Sequence, residues 1–154
     1  MTHALLLALC IGFVAGLRSM VTPAVVSWAA HLGWLPLRGT ALSWMASPIA
    51  AAVWSILAVL ELIADVAPKT PPRTAPASLA VRVVTGGLCG ACLAAAAGAA
   101  VWGGALLGIV GALIGAYAGR YARRWLVNSL QVRDFVIAIP EDIVAIGLAY
   151  LIVR

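Results

Sequence analysis

Residues 83–119 read VVTGGLCGACLAAAAGAAVWGGALLGIVGALIGAYAG and contain no Asp, Glu, Lys or Arg. A membrane-crossing helix takes about 20 predominantly apolar residues, so this interval holds nearly two crossings. It lacks the period-2 alternation of a membrane β-strand and is rich in Ala, Leu and Gly, which excludes a β-barrel. The whole chain agrees. It is 64% hydrophobic and 10% charged, with a mean hydropathy of +1.09, against roughly 25% charged residues in a soluble protein. A soluble domain of 154 residues could not hide so much apolar surface. The fold class expected is an all-α, polytopic transmembrane bundle forming a single integral membrane domain.

Outward from that interval, about five spans are expected. Span one covers Ala4 to Leu17 and is interrupted by Arg18. The piece SMVTPAVVSWAA, within a broken segment 18–30, contains Thr22-Pro23 and is too short to cross as a helix, so it reads as a bent continuation or a re-entrant piece. Span two runs from about Ala41 to Val66, closing a first helix pair over 1–66. Pro68, Pro71, Pro72 and Pro76 stiffen the next loop. A connecting span follows over 79–99, and a second helix pair over 101–153, with a basic loop expected after Gly119. The N-terminus lacks a basic leader and an A-x-A site, so it reads as a retained span.

The net charge of +5 reads as the Lys/Arg excess that orients membrane proteins, with no nucleic-acid partner implied. With five crossings, Lys69, Arg73, Arg82, Arg120, Arg123, Arg124 and Arg133 fall on one side. The positive-inside rule then expects a cytoplasmic N-terminus in a bacterial inner membrane. IGFVAGLR at 11–18 resembles IGAYAGRY at 114–121, and LAVLELIAD at 57–65 resembles IAIPEDIVA at 137–145, matching Glu61 to Glu141. An odd connector between the pairs would make an inverted repeat around the third span, as in many transporters.

Carboxylates stand out in such a chain. Glu61 and Asp65 are four apart and share a helix face, and Glu141 and Asp142 lie early in the last span. All are expected near one depth, close to the basic segments. A charge at bilayer depth costs about 2.5–3.5 kcal/mol on insertion scales and marks a polar cavity or a partner. Two readings stay open: helix-end anchors paired with Lys69, Arg73, Arg82 or Arg124, or a ligand or ion site in which the acids meet across the bundle. Arg18, beside the Thr22-Pro23 break, either snorkels to an interface or offers its guanidinium and freed amides to an anion. CGAC at 89–92 has the spacing of a redox or metal pair but lies in an uncharged helix that disfavours thiolates, so small-residue packing is expected. The three cysteines, all in apolar runs, indicate no disulfide framework.

Glycines recur four apart at Gly12/Gly16, Gly86/Gly90, Gly104/Gly108 and Gly111/Gly115/Gly119. Such small-residue faces let helix backbones approach closely, within one chain or in a homo-oligomer. Trp28, Trp34, Trp44 and Trp125 fit interfacial belts. No motif of a soluble-type enzyme is found, and no cofactor or metal is expected.

Taken together, AGLRSMVTPAVVSWAA (15–30), ELIADVAPKTPPRTAP (61–76) and EDIVAIGLAYLIV (141–153) resemble a bacterial membrane-protein family, domain of unknown function 4126. The resemblance covers nearly the whole chain. It implies a small polytopic membrane protein whose distinctive residues are Arg18, Thr22, Pro23, Glu61, Asp65, Lys69, Arg73, Glu141 and Asp142, and it carries no activity. The leading expectation is a transporter or channel for a polar or ionic solute, with Glu61, Asp65, Glu141, Asp142, Arg18 and Thr22 as the site. A second is a lipid-binding or lipid-modifying protein, with Lys69, Arg73, Arg120, Arg123 and Arg124 holding an anionic headgroup. A third is a structural or assembly subunit of a membrane complex.

Overall fold

Proline sets where several of the helices begin. In the computed structural model, which describes residues 2–66, 75–130 and 134–154, Pro48 and Pro76 open α3 (Pro48–Val66) and α4 (Pro76–Ala96), and Pro23 lies in the first turn of α2 (Val21–His31). The first turn has no use for the missing N–H, and φ is already helical. The other helices are α1 (Thr2–Leu17), α5 (Val101–Leu130) and α6 (Asp134–Val153), with a 3-10 turn at Ser43–Ala46. Gly98, at φ 65°, takes the left-handed position that ends α4, as helix C-termini commonly require. No strand occurs among the described residues.

Glycine sets how the helices pack. On α5, Gly104 and Gly108 lie against Gly90 and Gly86 of α4, so these two helices run antiparallel. Also on α5, Gly108 meets Gly12 of α1, and Ala112, Gly115 and Ala116 meet Gly16, so α1 and α5 run parallel. Backbone touches backbone along both seams. Much of the remaining interior is alanine, with Ala8, Ala15, Ala94, Ala112, Ala116, Ala145 and Ala149 buried, while Ile11, Val14, Val26, Leu37 and Met45 fill the larger gaps. Cys89 and Cys92 are buried in the same core, as expected of packing residues.

Many other large apolar side chains point outward. Ile49, Val53, Ile56, Leu60 and Ile63 form one exposed stripe on α3, and Leu106, Val110, Ile114, Tyr117, Tyr121 and Trp125 another on α5. Trp102, at the start of the α5 stripe, is 85% exposed. The rise from Trp102 to Tyr121 is about 28 Å at 1.5 Å per residue, close to the roughly 30 Å of a bilayer's hydrocarbon. Among the described residues two helices, Pro76–Ala96 and Val101–Ser129, are long and apolar enough to cross a membrane, and His3–Leu17 and Pro48–Ala64 are shorter apolar helices.

The structure corrects several expectations. Residues 120–130 are not a loop: α5 continues through Arg120, Arg123 and Arg124 to Leu130, because YARRWLVNSL contains neither Pro nor Gly and is made largely of helix-compatible residues. Of the two expectations for the 18–30 segment, a bent continuation of α1 is not what forms, and the piece turns back as the re-entrant alternative has it. It holds a separate helix, α2, that turns back beside α6, where Trp34 just beyond α2 stacks edge-on against Tyr150. The C-terminal end of α1 therefore lies level with the C-terminal part of α3 and the N-terminal parts of α4 and α6. The N-terminus of α1 is thus at the opposite end of the bundle from Glu61, Arg82 and Arg123, not at the end it was expected to share with Arg82, Arg120, Arg123 and Arg124. The inverted repeat is not seen either. Its first pair would have to be antiparallel, and α1 and α5 are parallel.

Candidate functional site

α1 stops at Leu17 and α2 starts at Val21, leaving Arg18, Ser19 and Met20 between them. A helix end leaves up to four carbonyls or amides without intrahelical partners, and inside an apolar bundle each unpaired group is costly. This chain satisfies the two ends with opposite charges. Arg82 of α4 donates Nη1–H to the carbonyls of Gly16 at 2.8 Å and Leu17 at 2.9 Å. Glu61 of α3 accepts the Ser19 amide at 2.9 Å and its hydroxyl at 2.6 Å on Oε1, and the Met20 amide at 2.8 Å on Oε2. A cation thus sits at a helix C-terminus and an anion at an N-terminus, the favourable arrangement for both dipoles. The Thr22 hydroxyl donates to the Arg18 carbonyl at 3.0 Å.

Arg18 itself is 1% exposed and forms an ion pair with Asp142 of α6. Its neighbour Glu141 turns elsewhere, with Oε2 3.9 Å from Nη1 of Arg123 on α5. Six ionisable groups thus gather at and beside one helix break: Arg18, Arg82, Arg123, Glu61, Glu141 and Asp142. They lie well inside the helices. At 1.5 Å per residue, Glu61 stands about 7 Å before the end of α3, Arg82 about 9 Å after the start of α4, and Asp142 about 12 Å after the start of α6. Beside them, a cleft of about 260 Å³ opens between α5 and α6, walled by Leu17, Ala122, Leu126 and Val144 with Arg123 and Glu141.

Glu61, Glu141, Asp142, Arg18 and Thr22 therefore lie at one junction, yet the three acids do not form a single acidic cluster. Glu61 takes the Ser19 and Met20 amides, Asp142 pairs with Arg18 and Glu141 with Arg123, so a cation or an amide offsets the charge of each acid. Arg120 and Arg124 lie on the same stretch of α5 as Arg123. The Asp65 side chain, Lys69 and Arg73 lie outside the described residues. Two members of the junction were missing from the sequence-derived site, Ser19 and Arg82. Their signal was position: a serine beside the Arg18 break, and an arginine set among apolar residues six positions past Pro76, which the anchor reading named as a partner for the acids.

A family model described as Domain of unknown function (DUF4126) matches residues 5–154. The chain belongs to that family. The matched range takes in every junction residue of this DUF4126 protein. No curated protein matches it, nor does any solved structure. What the DUF4126 fold does must therefore be argued from the junction.

Proposed function

We propose that this protein is a small integral membrane protein that moves a polar or ionic solute, and that the solute passes the charge junction at the α1–α2 break. The observation that carries this reading is the ion pair of the buried Arg18 with the half-buried Asp142, at a helix break whose two ends are held by Arg82 and Glu61. Such groups are poor choices for stability alone. A buried ion pair replaced by well-packed apolar residues is often neutral or stabilising. Ionisable groups at bilayer depth mark solute or proton pathways by default, and broken helices supply the polar backbone at the binding sites of many transporters. The outward Ile, Val and Leu stripes and the glycine-lined interior support the membrane seat.

The test is flux. Purified protein in liposomes is challenged in turn with gradients of alkali and divalent cations, phosphate and chloride, and small zwitterions. Saturable flux of one class is expected, falling to the protein-free background in an Arg18→Gln/Asp142→Asn variant that keeps the wild-type unfolding midpoint. If wild-type protein moves none of these classes above background, the reading is wrong.

The same reading sets an orientation. The cations Arg82, Arg120, Arg123 and Arg124 share the junction end, so positive-inside places that end in the cytoplasm of a bacterial inner membrane and the N-terminus outside. Single cysteines at Asn128 and at His3, in a background lacking the native thiols, should label from opposite sides with a membrane-impermeant maleimide. Labelling from the same side would sink this orientation.

A further inference from the structure

The cleft between α5 and α6 differs in chemistry from the junction beside it. Its walls are apolar, given by Leu17, Ala122, Leu126 and Val144, and its charged groups are Arg123 and Glu141. A hydrated ion finds few polar partners on such walls. An amphiphile with an anionic head does. Arg123 and Arg124 follow Arg120 at three- and four-residue spacing, so each neighbours Arg120 on the surface of α5. Arg124 is exposed.

Depth identifies the occupant. Ala122, Arg123 and Leu126 sit on α5 at the level of Tyr121 and Trp125, two outward aromatic residues. Outward Tyr and Trp belong at the headgroup level of a bilayer. The cleft thus opens where lipid headgroups lie, and its apolar walls continue toward the interior along Leu17 and Val144.

We infer that this cleft binds an anionic membrane lipid, with an acyl chain between α5 and α6 and the headgroup phosphate on the Arg120/Arg123/Arg124 cluster. At 3.9 Å, Arg123 and Glu141 form a long ion pair, so the phosphate exchanges for Glu141 at this guanidinium. Glu141 precedes Asp142, which holds Arg18, so an occupied cleft bears directly on the junction. The site itself does not depend on the transport reading.

Native mass spectrometry of the purified protein in mild detergent tests this, with phosphatidylglycerol titrated against phosphatidylcholine. Wild-type protein should retain phosphatidylglycerol in preference to phosphatidylcholine. Arg123→Gln should weaken that binding about fivefold, the effect of one basic side chain near an anionic surface. Val144→Trp, which fills the cleft from the exposed side of α6, should abolish it, and Arg38→Gln, in the loop after α2, should leave it unchanged. If Arg123→Gln does not fold, Arg124→Gln on the exposed side of α5 takes its place with the same expected direction. Equal retention of the two lipids, or retention unaffected by both the arginine variant and Val144→Trp, overturns the site. So does full displacement of the lipid by inorganic phosphate, which would show an anion contact without an acyl cleft.

Discussion

Asp142→Asn should destabilise the protein by about 3–5 kcal/mol, the cost of leaving a buried charge without its partner. Arg18 is 1% exposed, so solvent cannot take over the role of the Asp142 carboxylate. Arg18→Gln should cost less, because the Asp142 side chain keeps 21% of its exposure and solvent takes up part of its charge. The double variant Arg18→Gln/Asp142→Asn removes both charges and should be more stable than either single variant. That non-additivity separates a true pair from two independent residues, since uncoupled sites add to within about 0.5 kcal/mol. Reversible unfolding in mixed detergent micelles measures all four proteins. A double variant whose loss equals the sum of the singles would mean that the two side chains do not act on each other.

Gly108→Leu should be nearly as damaging, by about 3 kcal/mol, at the upper end of what inserted core volume usually costs. Gly108 is the point where both seams meet: α4 presents Gly86 and Gly90 there, and α1 presents Gly12. A side chain at this position meets backbone, which has no rotamer to change, so one of the two neighbouring helices must move. Leu106→Ala, on the exposed stripe of the same helix, removes three of the four carbons that Gly108→Leu adds and should change the midpoint little in detergent. An unchanged melting temperature for Gly108→Leu would show that the three helices are not packed as described.

The helical, apolar character of the chain was legible from residues 83–119 because that signal is one of length and composition. The glycine faces were legible for the same reason, since four-residue spacing of Gly reports close backbone approach wherever it leads. The acids were legible as exceptions in an apolar chain. Partner choice was not. Nothing local to Glu61 says that its carboxylate takes the Ser19 and Met20 amides rather than a cation, because the choice depends on which way α2 leaves the break. That direction also decided which end of the bundle holds Arg18, and it rests on contacts such as Trp34 with Tyr150 between segments far apart in sequence. The continuation of α5 past Arg120 was hidden by a cluster of arginines that reads as a surface loop, although the stretch contains no helix breaker.

The unequal lengths of α1 and α5 have a mechanical consequence. α1, Thr2–Leu17, rises about 24 Å, and α5, Val101–Leu130, about 45 Å at 1.5 Å per residue. A lone short helix meets a thick bilayer by tilting less or gathering flanking residues, and a lone long one by tilting more. These two are joined backbone to backbone and parallel, so neither can tilt without the other. In a bilayer the lipid would therefore have to adapt where the protein cannot, thinning beside α1 on the side where the chain folds back at Arg18. Hydrophobic mismatch would then be greatest at the charge junction instead of being spread around the bundle, because that is where the short helix ends.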